Sequence, residues 1–166
     1  MLPKLPIETL LVELVTLYDT ATDNSHKIYY SKLALIELCG WIELCIDDIT
    51  KKYIDLKLLK TNNINLAKKQ FVDGTYGFEY DKNLRPILIK LIGIINVEPL
   101  EDILDYNGDF TLLKSQLNSL ISLRNPAAHT SIAGVTHTYQ APSTMLTYLN
   151  SIYDKLGKLE TGLNMI

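Results

Sequence analysis

Apolar residues recur at helical spacing along most of the chain. The first such segment begins at Pro6, a residue suited to the first turn of a helix, and ends near 22–24. Its apolar stripe consists of Ile7, Leu10, Leu11, Leu14, Val15 and Tyr18. A longer segment runs from about Ser25 into the fifties, with an apolar side made of Leu35, Leu38, Cys39, Ile42, Cys45, Ile46 and Ile49. We expect two amphipathic helices, the second of them central to the fold.

The rest of the chain predicts shorter helices separated by proline, glycine and asparagine breaks. Residues 74–80 and 130–142 read as loops, and Asp109 can cap the helix that follows it. The segments expected to be helical are 64–72, 86–95, 99–106, the stretch after Asp109, and a last helix from Ser143. The sum is an all-α antiparallel bundle of about five to seven helices, forming one domain over residues 1–166.

Composition limits the possible functions. With 166 residues, 47% of them hydrophobic, the chain can bury its own core. A formal charge of -3 argues against a protein that coats nucleic acid by charge alone. Six lysines in the middle of the chain could follow an RNA backbone, although solubility alone explains them more simply. They are Lys51, Lys52, Lys57, Lys60, Lys68 and Lys69.

Neither a secretory signal nor a membrane span is evident. The apolar runs are interrupted by Glu37, Glu43 and Lys90 well short of a membrane thickness, so we expect a cytoplasmic protein. Cys39 and Cys45 are six positions apart in a helical pattern, beyond disulfide reach, and are expected to be buried thiols.

Residues 123–130 have the sequence Leu-Arg-Asn-Pro-Ala-Ala-His-Thr and contain an arginine, an amide and an imidazole, which are side chains typical of catalytic and anion-binding sites. We call this stretch the motif segment. In an unbroken helix Arg124 and His129 would lie roughly 140° apart. Pro126 lacks the N–H of a helical turn, so the helix that carries Arg124 should kink or stop there. If it stops, Asn125 would cap a new helix, and a phosphodiester at its N-terminus could meet Arg124, Asn125 and His129 together.

The apolar stripe of the preceding helix also bears on Arg124. Leu113, Leu117 and Leu120 recur at helical spacing, and Arg124 continues their line, so we expect it to point towards a packed surface. Structural roles remain open for all three residues. Arg124 could bind helix carbonyls, His129 could be a core or capping histidine, and Asn125 could serve only as a cap.

Other polar residues carry weaker signals. The acidic side of the long helix could supply a partner for the motif, but a solvated face is the favoured interpretation. That side holds Glu37, Glu43, Asp47 and Asp48. His26 and His137 lack partners at metal-ligand spacing, so neither a metal nor a cofactor is expected. Trp41 fits core or dimer packing better than base stacking.

A helical bundle with Arg124-Asn125-Pro126-Ala127-Ala128-His129 late in the chain resembles the HEPN superfamily, whose signature is Arg, usually a polar residue, three more residues and His. Many HEPN proteins are metal-independent endoribonucleases that dimerise, so that two motifs face each other across one cleft. The resemblance implies that Arg124, Asn125 and His129 are the active residues. HEPN toxins paired with a nucleotidyltransferase antitoxin often carry a modified tyrosine two residues after the histidine. Ser131 stands there, which argues against that form of control.

The residue types fit RNA cleavage without a metal. His129 could act as general base or acid, since a histidine of pKa about 6.5 has both forms accessible near neutrality, and a helix N-terminus would favour the neutral base. Arg124 could hold the phosphate with its planar fork, and Asn125 could orient His129 or the phosphate. A homodimer would add a second His129 as the acid, with a 2′,3′-cyclic phosphate as product.

The leading interpretation is therefore a toxin or antiviral endoribonuclease that acts on RNA as a homodimer, with a cognate antitoxin or regulatory protein as a possible partner. Two alternatives stay open. One is an inactive HEPN-type module that binds RNA or a nucleotide. The other is a structural helical partner, for example one half of a toxin and antitoxin pair.

Overall fold

The computed structural model describes residues 1–129 and 139–166, and for His129 only the backbone. Within these residues it contains seven α-helices and no strand, so the predicted all-α bundle is confirmed. The helices are α1 (Leu5–Thr20), α2 (Asn24–Lys57), α3 (Thr61–Ala67), α4 (Arg85–Ile92), α5 (Ile94–Leu104), α6 (Asp109–His129) and α7 (Pro142–Met165). Two π-helical turns, Lys68–Val72 and Tyr80–Leu84, extend α3 and precede α4.

The 34-residue helix α2 is the central element, as its apolar pattern predicts. It packs against α1, α6 and α7, because apolar residues occupy most of its circumference. Trp41 belongs to this core: its ring stacks on Tyr153 with centroids 6.2 Å apart, and its Nε1 donates to the carbonyl of Pro3. Cys39 and Cys45 are both buried and free, as expected.

Helix α5 begins earlier than its proline suggests. The sequence predicts a helix that starts at Pro99, but α5 starts at Ile94 and contains Pro99 in its second turn. The break lies at Gly93, whose φ of 75° suits glycine and few other residues. Since Val97 and Leu100 on either side of Pro99 are buried, packing offsets the hydrogen bond that the proline removes.

Asp109 is not the cap of α6, contrary to the prediction. It is the first helical residue, and its carboxylate pairs with Lys158 of α7. The capping role falls to Asp105, which accepts a hydrogen bond of 3.0 Å from the backbone N–H of Thr111. The carboxylate of Asp109 thus joins two helices, and the cap of α6 comes from Asp105.

A polar chain fixes α6 against α7. Buried Lys155 donates to the hydroxyl of Ser151 at 2.8 Å, and Ser151 in turn exchanges hydrogen bonds with the amide of Gln116. Burying an ammonium group costs free energy unless it forms hydrogen bonds, so this series of hydrogen bonds favours one register of α6 against α7. That register determines where the C-terminal turns of α6 lie.

Candidate functional site

Residues 123–129 of the motif segment lie on the last turns of α6, without a helix break before them. The helix continues through Pro126 to His129, so of the two outcomes expected at Pro126, a kink or a stop, the stop is wrong. The reason is tertiary packing, because Leu120 and Ala127 on either side of the proline are both fully buried. A proline so close to the end of the helix removes one hydrogen bond, which this packing offsets.

The continuous helix changes the predicted geometry. Asn125 does not cap a helix but lies exposed inside one, and the N-terminus of α6 is at Asp109. The expected anion site at a helix N-terminus, together with the argument for a neutral His129, is therefore wrong. Positions 125 and 129 are four apart and share a side of α6, whereas position 124 is turned roughly 140° from 129.

Arg124 lies at the edge of the core, as the leucine stripe predicts. Its side chain is half-buried, and its guanidinium is close enough to Cys39 of α2 to oppose the effect of burial on that thiol. The pKa of Cys39 is raised to about 12, first by burial and then by the carboxylate of Glu43, while Arg124 opposes the shift. The Cys39 thiol is therefore protonated at neutral pH and is a packing group.

Arg124 also has no carboxylate partner among the described residues. The chain's other arginine, Arg85, pairs with Glu101 at 2.7 Å, and no such pair forms at Arg124 within the described part of the chain. A guanidinium that no carboxylate neutralises retains its capacity to bind a phosphate in its planar fork. Arg124 is therefore the best-placed anion-binding group of the motif segment.

The acidic side of α2 is mostly engaged in structural contacts. Asp48 pairs with the N-terminal amine of Met1 at 2.9 Å and with Lys52 at 2.8 Å. Glu43 accepts a hydrogen bond of 2.5 Å from the backbone N–H of Gly77, which anchors the loop before α4. Asp47 pairs with Lys51, and Glu37 is exposed. These contacts favour the interpretation of this face as structural and solvated.

The lysines of the middle segment are largely paired as well. Lys51 binds Asp73 at 2.7 Å, and Lys68 binds Asp55 at the same distance. Lys57 lies over the ring of Tyr53. Because nearby carboxylates neutralise several of these charges, a continuous lysine track for an RNA backbone is not favoured.

A polar groove beside the motif segment was missed by sequence reasoning. It has a volume of about 810 Å³ and lies between α6 and the start of α7. Its walls include Ser115, Asn118, Ser119, Ser122, Gln140 and Tyr148. The available signal was the recurrence of hydroxyl residues at helical spacing on α6, which the apolar stripe on the other side of the helix overshadowed.

Pro126→Ala should stabilise the protein while impairing the motif. The alanine restores an N–H to the last turns of α6, which we expect to add about 1–3 kcal/mol to the free energy of unfolding and several degrees to the thermal midpoint. For the RNA cleavage that the resemblance of the motif predicts, we expect a fall of about tenfold, because the substitution would change the tilt of the turn that carries position 129. Thermal unfolding and a cleavage assay measure the two effects.

Pro99→Ala is the matched control, since Pro99 also lies inside a helix but far along the chain from the motif. It should stabilise the protein and leave cleavage unchanged. A lower midpoint for Pro126→Ala would contradict the view that packing, and not local preference, keeps α6 continuous.

A helical bundle with an Arg-x4-His sequence on a late helix is the arrangement of a HEPN domain. A family model described as RiboL-PSP-HEPN matches residues 7–157, and the chain belongs to this HEPN family. Membership suggests a function related to RNA or to nuclease activity, and association into dimers. Comparison with curated proteins and with solved structures found no match. Among the described helices, none is both long and apolar enough to cross a membrane.

Proposed function

We propose that this chain acts as a single HEPN domain over residues 1–166 and is a metal-independent endoribonuclease working as a homodimer. The observation that carries the proposal is Arg124, a half-buried guanidinium without a carboxylate partner among the described residues. It lies within two helical turns of Asn125 and His129, so the three residues of the family signature occupy one end of α6.

The proposed chemistry is attack of a ribose 2′-oxygen on the adjacent phosphorus. His129 removes the proton of the 2′-OH as general base, and the new P–O bond forms as the bond to the 5′-oxygen breaks. Arg124 binds the phosphate oxygens, where negative charge develops. Asn125 is exposed and not used as a cap, so its amide is available to orient the phosphate or His129. The products are a 2′,3′-cyclic phosphate and a 5′-hydroxyl.

The geometry of α6 supports a dimer. On one helix, positions 124 and 129 are roughly 140° apart, so a single copy of α6 does not place them on a common side. A second copy related by two-fold symmetry would bring another arginine and histidine to the same cleft. One His129 would then remove the proton of the 2′-OH, and that of the partner would protonate the leaving 5′-oxygen.

The biological role that fits this activity is that of a cytoplasmic toxin or antiviral effector. Such an enzyme needs restraint in its host, which a cognate antitoxin or regulatory protein would supply. Ser131 in place of the modified tyrosine argues that this restraint does not use nucleotidylation at that position.

The test is incubation of the purified protein with 5′-labelled RNA in excess EDTA. We expect cleavage to persist, to yield 2′,3′-cyclic phosphate ends, and to stop when the nucleotides are 2′-deoxy, because the nucleophile is then missing. A His129→Ala protein purified in parallel controls for contaminating nucleases. Cleavage only with added Mg²⁺, or equal cleavage of 2′-deoxy substrates, would contradict the proposal. Light scattering that finds a strict monomer would contradict the composite cleft.

A further inference from the structure

The polar groove between α6 and α7 leads along one side of α6 to the motif segment. Thr111 lines the groove and lies eighteen residues before His129, which is about five full helical turns, so positions 111 and 129 face the same way. Ser122, also in the groove, and Asn125 lie close to that direction. From Ser122 to position 129 the distance along the axis is only about 10 Å. One ligand can therefore occupy the groove and reach the motif.

The groove has the chemistry of a site for a base and a ribose, not for a phosphate. Its walls are mainly hydroxyl and amide side chains. Among the described residues that line it, the cation is Lys114, which is paired with Asp81 at 2.9 Å. A nearly neutral groove gives little attraction to a phosphate, whereas hydroxyls and amides suit the edges of a base and the 2′-OH of RNA. In the proposed dimer the phosphate beside the groove is bound by Arg124 of the second copy, because position 124 is turned roughly 160° from Ser122 on the same helix.

In the described part of the chain, Asn118 is the groove residue with a buried polar atom that lacks a hydrogen bond. Its Oδ1 is screened from solvent and has no hydrogen-bond partner among the described residues. Leaving a buried acceptor unpaired is unfavourable, so a donor on a base bound in the groove at Asn118 would gain a hydrogen bond to this oxygen.

Tyr148 supplies the stacking surface on the opposite wall. Its ring is half-buried at the start of α7, where it packs on the core and lines the groove. Single-stranded RNA is commonly recognised by stacking an unpaired base on an aromatic ring and by hydrogen bonds to the edge of that base. Tyr148 and Asn118 together offer both interactions.

We propose that this groove binds one nucleotide of a single-stranded RNA substrate next to the scissile phosphate, with its base stacked on Tyr148 and hydrogen-bonded by Asn118. The inference rests on the proposed function, because it identifies single-stranded RNA as the substrate of that site. A second copy of the chain fits the groove less well, since the centres of stable protein interfaces are depleted of such small hydroxyl residues and enriched in aromatic ones.

The test measures RNA binding separately from cleavage. Fluorescence anisotropy with a labelled single-stranded oligoribonucleotide uses the His129→Ala protein as the parent, so that the probe stays intact. Ser119→Glu places a negative charge on an exposed groove position, and we expect it to weaken binding at least tenfold. Asn150→Glu makes the same charge change at an exposed position of α7 that does not line the groove, and should change affinity less than twofold.

Substitutions of Tyr148 test the stacking. Tyr148→Ala should weaken binding about tenfold, whereas Tyr148→Phe keeps the ring and should stay within twofold of the parent. Thermal unfolding identifies any loss of folding in Tyr148→Ala, and Ser119→Glu tests the groove without removing a packed side chain.

The possible results separate this inference from the proposed function. Parental affinity in Ser119→Glu would overturn the groove site and leave the EDTA cleavage result untouched. A change from dimer to monomer in Ser119→Glu would also overturn it, by assigning the groove to an interface between copies. Weakened binding in Ser119→Glu and Tyr148→Ala would support the groove even if the wild-type protein did not cleave RNA.

Discussion

His129→Ala should lower the rate of RNA cleavage in EDTA by about a thousandfold or more. A positioned acid or base contributes roughly 10²- to 10⁴-fold, and in the proposed dimer the substitution removes both the base and the acid. The loss should appear in single-turnover rates at saturating RNA, because the substitution removes proton transfer and leaves Arg124 to bind phosphate. Rapid-quench analysis of end-labelled RNA makes the measurement.

His26→Ala is the matched control for this substitution. His26 is an exposed histidine of α2 in ring contact with Tyr30, with no assigned part in the chemistry, and its loss should leave the rate within twofold. Far-ultraviolet circular dichroism and the thermal midpoint verify that both variants fold. A folded His129→Ala protein that retains more than a tenth of the wild-type rate would contradict the assigned role.

The fold was readable from the sequence wherever one apolar stripe dominated. The starts of α1, α2 and α7 lie within about two residues of the predicted ones, because burial of one side is the main source of helix stability in a bundle. The same reasoning correctly predicted that Arg124 lies at the edge of the core, since it continues the line of Leu113, Leu117 and Leu120. These are all consequences of a helical period that the sequence displays.

Local rules failed where tertiary contacts outweigh them. Pro99 and Pro126 are both inside helices, because buried neighbours hold the backbone in place at each site. Asp109 could have capped α6, but α7 brings Lys158 to it, a contact 49 positions away in the chain. The complete groove could not be predicted for the same reason. The serine spacing on α6 was a signal, but Tyr148 and Gln140 join these serines only after α7 has packed.

Arg124→Ala should lower kcat/KM for RNA by about a hundredfold to a thousandfold, the usual effect of removing a group that stabilises developing negative charge. Arg124→Lys keeps the charge but loses the planar fork, so it should recover only part of the activity. Arg124→Met keeps much of the packing of the aliphatic stem. It should leave stability unchanged or slightly raised, because it removes a half-buried cation that no carboxylate among the described residues balances.

The chain provides a matched control, because its other arginine is tied into the fold. Arg85 donates to Glu101 at 2.7 Å, and the hydroxyl of Tyr80 donates to the same carboxylate oxygen at 2.6 Å. Arg85→Met takes one of two donors from this half-buried carboxylate, so it should lower the thermal midpoint while RNA cleavage stays near the wild-type rate. Arg124→Met should do the reverse. If Arg124→Met instead destabilised the protein and spared cleavage, Arg124 would be a structural arginine that binds helix carbonyls, and the proposed phosphate site would have to lie elsewhere.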